Sequence, residues 1–184
     1  MATTSNRQST AAIVAALTTA VQNVQVTLND VPVAAFQRVE FFDSEKLADA
    51  FQFLFITEQR VCVIVPLEEK FEAILQQPRL LVKRTLPVML VMSDRVLGAA
   101  QRKVAYLGDD TTPGAMGLME AVLPAVTGLL LPNPGGVLVQ PVDNCALTIS
   151  DKDQAKMPGR VAVALHVDCI GGTLTADLGR SPIL

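Results

Sequence analysis

The chain has 184 residues, 50% of them hydrophobic, with a mean hydropathy of +0.38, enough to bury one sizeable core, so a single domain over residues 1–184 is expected. Its 15 Lys and Arg against 18 Asp and Glu give a net charge of −3, without the positive excess by which proteins hold nucleic acid through its phosphates. The apolar runs Val61 to Leu67 and Leu86 to Met92 are far too short to cross a bilayer and read as buried strands, so no membrane partner is expected.

The first predicted element is a helix. Ala11 to Leu17 behind Arg7 has the outline of a short signal-peptide segment. However, Ile13, Leu17, Val21 and Val24 recur on one helical face behind Ser9 and Thr10, and an N-capped amphipathic helix accounts for more residues. "AAFQRVEFF" alternates as a strand, and Ser44 caps a helix in "EKLADAFQFLF", with Leu47, Phe51, Leu54 and Phe55 as its core stripe. "RVCVIVP" is a strand apolar on both faces, "LEEKFEAILQQ" has helical spacing, and "LPVMLVMSD" is a second two-sided strand. Before it, "PRLLVKR" reads as a solvent-facing strand edge whose cations discourage wrong pairing.

After the turn "YLGDDTTPG" comes the least charged stretch, "GAMGLMEAVLPAVTGLL", with Glu120 its only ionisable side chain. Pro113 suits a first helical turn, and Ala115, Leu118, Met119, Val122, Leu123, Val126 and Leu129 or Leu130 form a stripe broad enough to lie on a sheet. Pro124 removes the hydrogen bond to the Glu120 carbonyl. "PNPGG" ends the helix, and "VLVQP", "CALTI" and "RVAVALHVDCI" return as strands around an exposed loop near 150–159, with a short C-terminal tail. The order implies an α/β (α+β) fold: a mixed, mostly antiparallel sheet flanked by helices.

Chemistry is sparse. Cys62, Cys145 and Cys169 are widely separated, fitting small buried hydrophobes in a reducing compartment better than a disulfide framework. The single histidine, His166, shares a strand face with Asp168, while Cys169 points the other way; no second ligand cluster accompanies them, so no metal is expected. Glu68 with Glu69 and Asp109 with Asp110 are adjacent pairs, and sequence neighbours diverge on a helix or strand, which suits solvated surface better than acid–base work. Phosphate-loop, dinucleotide and nucleophile-elbow motifs are missing. The expectation is no cofactor, no catalytic residues and no enzyme; the alternative of another class is a small enzyme or ligand-binding domain using Asp94, Asp109 or Asp110 at the strand ends.

The order of elements from about Thr10 to Ile170, above all the glycine-opened helix "GAMGLMEAVLPAVTGLL" followed by "LLLPNPGG" and strands, resembles the tail terminator proteins of long-tailed bacteriophages. The resemblance implies a structural virion protein, made in the host cytoplasm, that forms a homo-oligomeric ring, usually a hexamer. Such a ring ends tail-tube polymerisation and joins the tail to the neck, with the tube protein and a neck or connector protein as partners. Another head-tail connector, neck or tube subunit is the alternative within that class. DNA would pass through without specific binding, and Asp109 and Asp110 are the candidates for an acidic turn facing the hole; the plainer role of the turn is to cap the helix that follows.

Overall fold

The computed structural model describes residues 10–43, 59–76, 79–95, 101–131, 136–147 and 159–177. Helix α1 (Thr10–Gln22) buries Ile13, Val14, Leu17 and Val21, the face its spacing predicts. A hairpin that the spacing did not reveal follows: β1 (Gln25–Leu28) and β2 (Val31–Ala34) pair antiparallel. Their turn is Asn29–Asp30, both left-handed with φ of 49° and 63°, as a two-residue turn of the I′ kind requires. The helix expected from Ser44 lies outside the described residues, as do the loop near 150–159 and the C-terminal tail.

Among the described residues the main sheet has seven strands in the order β3–β4–β6–β9–β8–β7, with β5 also paired to β6. Its members are β3 (Arg38–Phe41), β4 (Val61–Pro66), β5 (Lys70–Gln76), β6 (Arg79–Arg95), β7 (Leu130–Leu131), β8 (Val137–Leu147) and β9 (Arg160–Asp177). Of the described pairs β3 and β4 run parallel and the others antiparallel. The fold is thus the expected mixed, mostly antiparallel sheet with helices.

Both faces of the sheet are apolar. Cys62, Ile64, Leu86, Val88, Leu90, Met92, Val163, Leu165 and Val167 point to the side where α1 and α3 (Gly114–Val126) pack. Val61, Val63, Val65, Val91, Ala162 and Ala164 form a second buried cluster on the other side. Two-sided burial explains why β4 and the second half of β6 read as continuous apolar runs.

Two expectations fail here. Residues 70–76 are strand, not helix: Lys70 to Gln76 pair residue by residue with Thr85 to Arg79. Phe71, Ile74 and Leu75 have helical spacing, but a segment that can hydrogen-bond along β6 gains a full ladder, and pairing overrides local preference. For the same reason "PRLLVKR" is no edge, because β6 is flanked there by β5 and β9. Arg84 is 6% exposed; its Nε donates to Glu69 Oε2 at 2.9 Å and its Nη2 to Thr10 Oγ1 at 2.7 Å. Nη2 also meets Glu69 Oε1, so the cation fastens the start of α1 to the chain between β4 and β5.

The apolar helix is present as α3, with Pro113 at its N-cap and Pro124 inside it. Leu118, Met119, Val122 and Val126 are buried as expected, but Leu123 is 37% exposed and Leu130 66%. The buried stripe is narrower than its composition suggests, since Gly114 and Ala115 fill the face at the start of the helix.

Candidate functional site

Two surfaces and one buried anchor organise the side chains with chemical potential. The anchor is Asp94, at the end of β6 and 0% exposed. Its Oδ2 accepts from Thr112 Oγ1 at 2.6 Å and from the Gly114 backbone N–H at 3.0 Å, and its Oδ1 accepts from the Arg95 N–H at 2.7 Å. Pro113 offers the first turn of α3 no side-chain cap, so a carboxylate from the neighbouring strand supplies the acceptor that a helix N-terminus favours. Close by, Arg160 is 1% exposed; its Nη1 donates to Ser93 Oγ at 3.1 Å and to the Gln59 carbonyl at 3.2 Å. Burial pulls the Arg160 guanidinium down to about 10 and neighbouring Arg95 adds to the fall, while Asp94 opposes it. Asp94 is thus buried at the end of β6 and holds the start of the helix.

The first surface is the turn between α2 (Gln101–Leu107), a helix the spacing did not predict, and α3. The chain closes there through Gly108 and Gly114, both left-handed at φ 86° and 64°. A Cβ on Gly114 would lie 2.3 Å from the Gly108 nitrogen, so the approach admits no side chain. Asp109 Oδ1 accepts from Thr111 N at 2.8 Å, Thr111 Oγ1 at 2.7 Å and Thr112 N at 3.0 Å. These bonds, that of the Thr111 side chain foremost, hold the Asp109 carboxyl below its ordinary pKa. Asp109 therefore closes the turn itself, and the helix is capped by Asp94 from β6 and not, as expected, by an aspartate of the turn. Asp110 is exposed, and its carbonyl accepts from Asn29 N–H at 3.2 Å. That bond brings the tip of the β1–β2 hairpin alongside, so exposed Asp30 joins Asp109 and Asp110 in one acidic corner. The Asn-Asp dipeptide between two alternating runs was the available signal for it.

The second surface is the outer edge of β8. Up to Val139 the edge is covered: Val139 N–H donates to the Leu129 carbonyl at 2.9 Å and its own carbonyl accepts from Gly128 N–H at 3.0 Å. The pairing with β9 then slips between Pro141 and Asp143, a bulge. Residues 142–146 beyond it are exposed, and among the described residues no strand pairs with their outer edge. Val142 is 58% exposed. Cys145 is exposed while Cys62 and Cys169 are buried, which corrects the expectation of three buried thiols: Cys145 lies in the open half of β8. Burial pushes Cys62 well above the ordinary thiol range, and it pushes Cys169 to about 12, with Asp168 adding to it and Arg84 opposing.

His166 and Asp168 share one face of β9 and Cys169 the other, as alternation predicts, with Cys169 in the main core. The neighbour of His166 is Asp143 across the bulge, whose Oδ1 meets its Nδ1. Among the described residues no group of three or more His, Cys, Asp or Glu is placed to hold a metal ion, and no helix is long and apolar enough to cross a membrane.

Searched against known protein families and characterised proteins, the sequence matches no family model and no characterised protein.

Proposed function

We propose that this chain is a structural virion protein of the tail terminator kind, which assembles into a ring, hexameric by that resemblance, ends the tail tube and joins it to the neck. The observation that carries the reading is the length of the paired strands β6 and β9. β6 has 17 residues, and its pairing with β5 and β9 continues as a long arm to Arg79. At about 3.3 Å per residue, β9 with its 18 residues spans about 60 Å. A small domain gains little for itself from such an arm, whereas a subunit gains contact area with its neighbours.

Three features support the reading. Phe71 on the arm is 53% exposed and Leu67 beside it 38%, apolar surface of the sort that subunit contacts use. The acidic corner of Asp30, Asp109 and Asp110 suits a hole through which DNA slides without holding, as does the net charge of −3. The carboxylate best placed at a strand end, Asp94, is consumed by the fold. Negative-stain class averages of the purified chain test the proposal. Rings with a central hole, found on intact particles between tail and head, are the expected result. Small featureless particles at high concentration overturn it, and rings located elsewhere on the particle point to another connector or tube subunit.

A further inference from the structure

Among the described residues β3 ends the main sheet on one side, and the half of β8 beyond Val139 has no strand on its outer edge; these two edges match each other as well as strands within the sheet do. We infer that copies of the chain join edge to edge, with β3 of one copy hydrogen-bonded antiparallel to the open half of β8 of the next; this rests on the ring reading above. The register carries the argument. One row across the sheet runs Val39–Cys62–Met92–Val163–Ala146, the next Glu40–Val63–Val91–Ala164–Cys145, and the third Phe41–Ile64–Leu90–Leu165–Asn144. The exposed end of β8 and the short strand β3 therefore stand at the same height on opposite sides of one sheet. Strand directions, read through the same pairings, make β3 antiparallel to β8 when copies are laid side by side.

The hydrogen-bonding groups match too. Phe42 N–H donates to the Ile64 carbonyl at 3.0 Å, so the even-numbered residues of this strand bond to β4, and Val39 and Phe41 turn their N–H and C=O outward. On β8 the outward residue before the bulge is Val139. The inserted residue at Val142 shifts the alternation by one, so Asn144 and Ala146 face outward beyond it. Val39 and Ala146 share one row, Phe41 and Asn144 another. With no shift along the strands, each outward pair of one edge meets an outward pair of the other.

Side chains permit the approach. Phe41 is 49% exposed on β3, and the facing residues Asn144, Cys145 and Ala146 are small. Pro141 and the bulge end the compatible stretch, in the way edge strands limit unwanted pairing. Because the two edges are different surfaces, the contact is heterologous, the kind that builds a ring when the rotation from copy to copy closes.

The contact places Glu40 directly opposite Cys145 of the neighbouring copy in a non-hydrogen-bonded pair, where Cβ atoms approach to about 4.5–5.5 Å. The test uses the full chain with Glu40→Cys, native Cys145 supplying the second thiol, under mild oxidation. A ladder of disulfide-linked species that stops at the ring number, and that Cys145→Ser abolishes, is the expected result. A second variant, Asn144→Pro, removes an outward N–H that β8 does not use in pairing with β9. It should keep the wild-type circular dichroism spectrum and melt like wild type diluted below assembly, yet remain monomeric where the wild type assembles. Rings that form without the cross-link, or an Asn144→Pro chain that still assembles, overturn the edge contact and leave the ring reading standing. A cross-linked dimer that never closes upholds the contact and sinks the ring, and a monomer at every concentration sinks both.

Discussion

Asp94→Ala should be among the most damaging single changes in this chain. The carboxylate is fully buried and accepts three hydrogen bonds, from Thr112 Oγ1, Gly114 N–H and Arg95 N–H. Removing it leaves the Gly114 N–H without its acceptor at the start of α3 and takes a negative charge from beside Arg160, itself 1% exposed. A stranded buried donor costs about 1–3 kcal/mol, more where the lost partner is charged, and the Coulombic support that Asp94 gives Arg160 is lost with it. The expected loss is therefore about 3 kcal/mol, the upper end of that range. Urea unfolding followed by circular dichroism measures it, with the slope checked for two-state behaviour. Asp94→Asn, which keeps one acceptor oxygen, should lose clearly less. Thr112→Val combined with Asp94→Ala should lose less than the sum of the two singles, because both remove one bond. If Asp94→Ala stays within about half a kcal/mol of wild type, the range of ordinary surface changes, the anchor is not what holds the helix start.

Other consequences follow from burial and charge. Leu118→Ala, at 0% exposed, should cost about 2–5 kcal/mol by the same unfolding measurement, and Leu123→Ala, at 37% exposed, much less; equal losses would mean that α3 presents a different face. The Asp109 carboxyl lies below its ordinary value of 3.8 in the folded chain, so its contribution is present above that pH and is lost as pH falls through the lower folded value. Asp109→Asn should therefore melt earlier than wild type at neutral pH, and the gap should close in strong acid; a gap that persists there refutes the assignment. A thiol-reactive dye should label Cys145 rapidly and alone in the native chain at concentrations below assembly, and all 3 cysteines after unfolding; fast native labelling of Cys62 or Cys169 contradicts their burial. Particles carrying both Asp109→Asn and Asp110→Asn should eject DNA more slowly, with added salt relieving the defect; ejection at the normal rate leaves the two residues as a turn.

The parts legible in the sequence are those whose burial is decided locally. β4 and the second half of β6 announce themselves because both of their faces are covered, and α1 because its partner lies on one side only. Residues 70–76 do not, since Phe71, Ile74 and Leu75 suit a helix as well as a strand and only the presence of β6 alongside decides. Arg84 reads as a surface cation because nothing nearby in sequence shows that Glu69 and Thr10 will enclose it. The acidic turn was visible as Asp109 and Asp110, whereas Asp30 joins it through a single backbone bond between distant segments. The open edge of β8 is a property of strand order, and neither composition nor period encodes which strand lies outermost.

The central claim, that the chain is a ring-forming assembly subunit, is tested most directly by its mass in solution. Sedimentation velocity over a wide concentration range should show a species at a fixed small multiple of 19.6 kDa, six copies by the family resemblance, that grows no further as concentration rises. A single species at 19.6 kDa throughout, or open-ended growth without a preferred size, would contradict it.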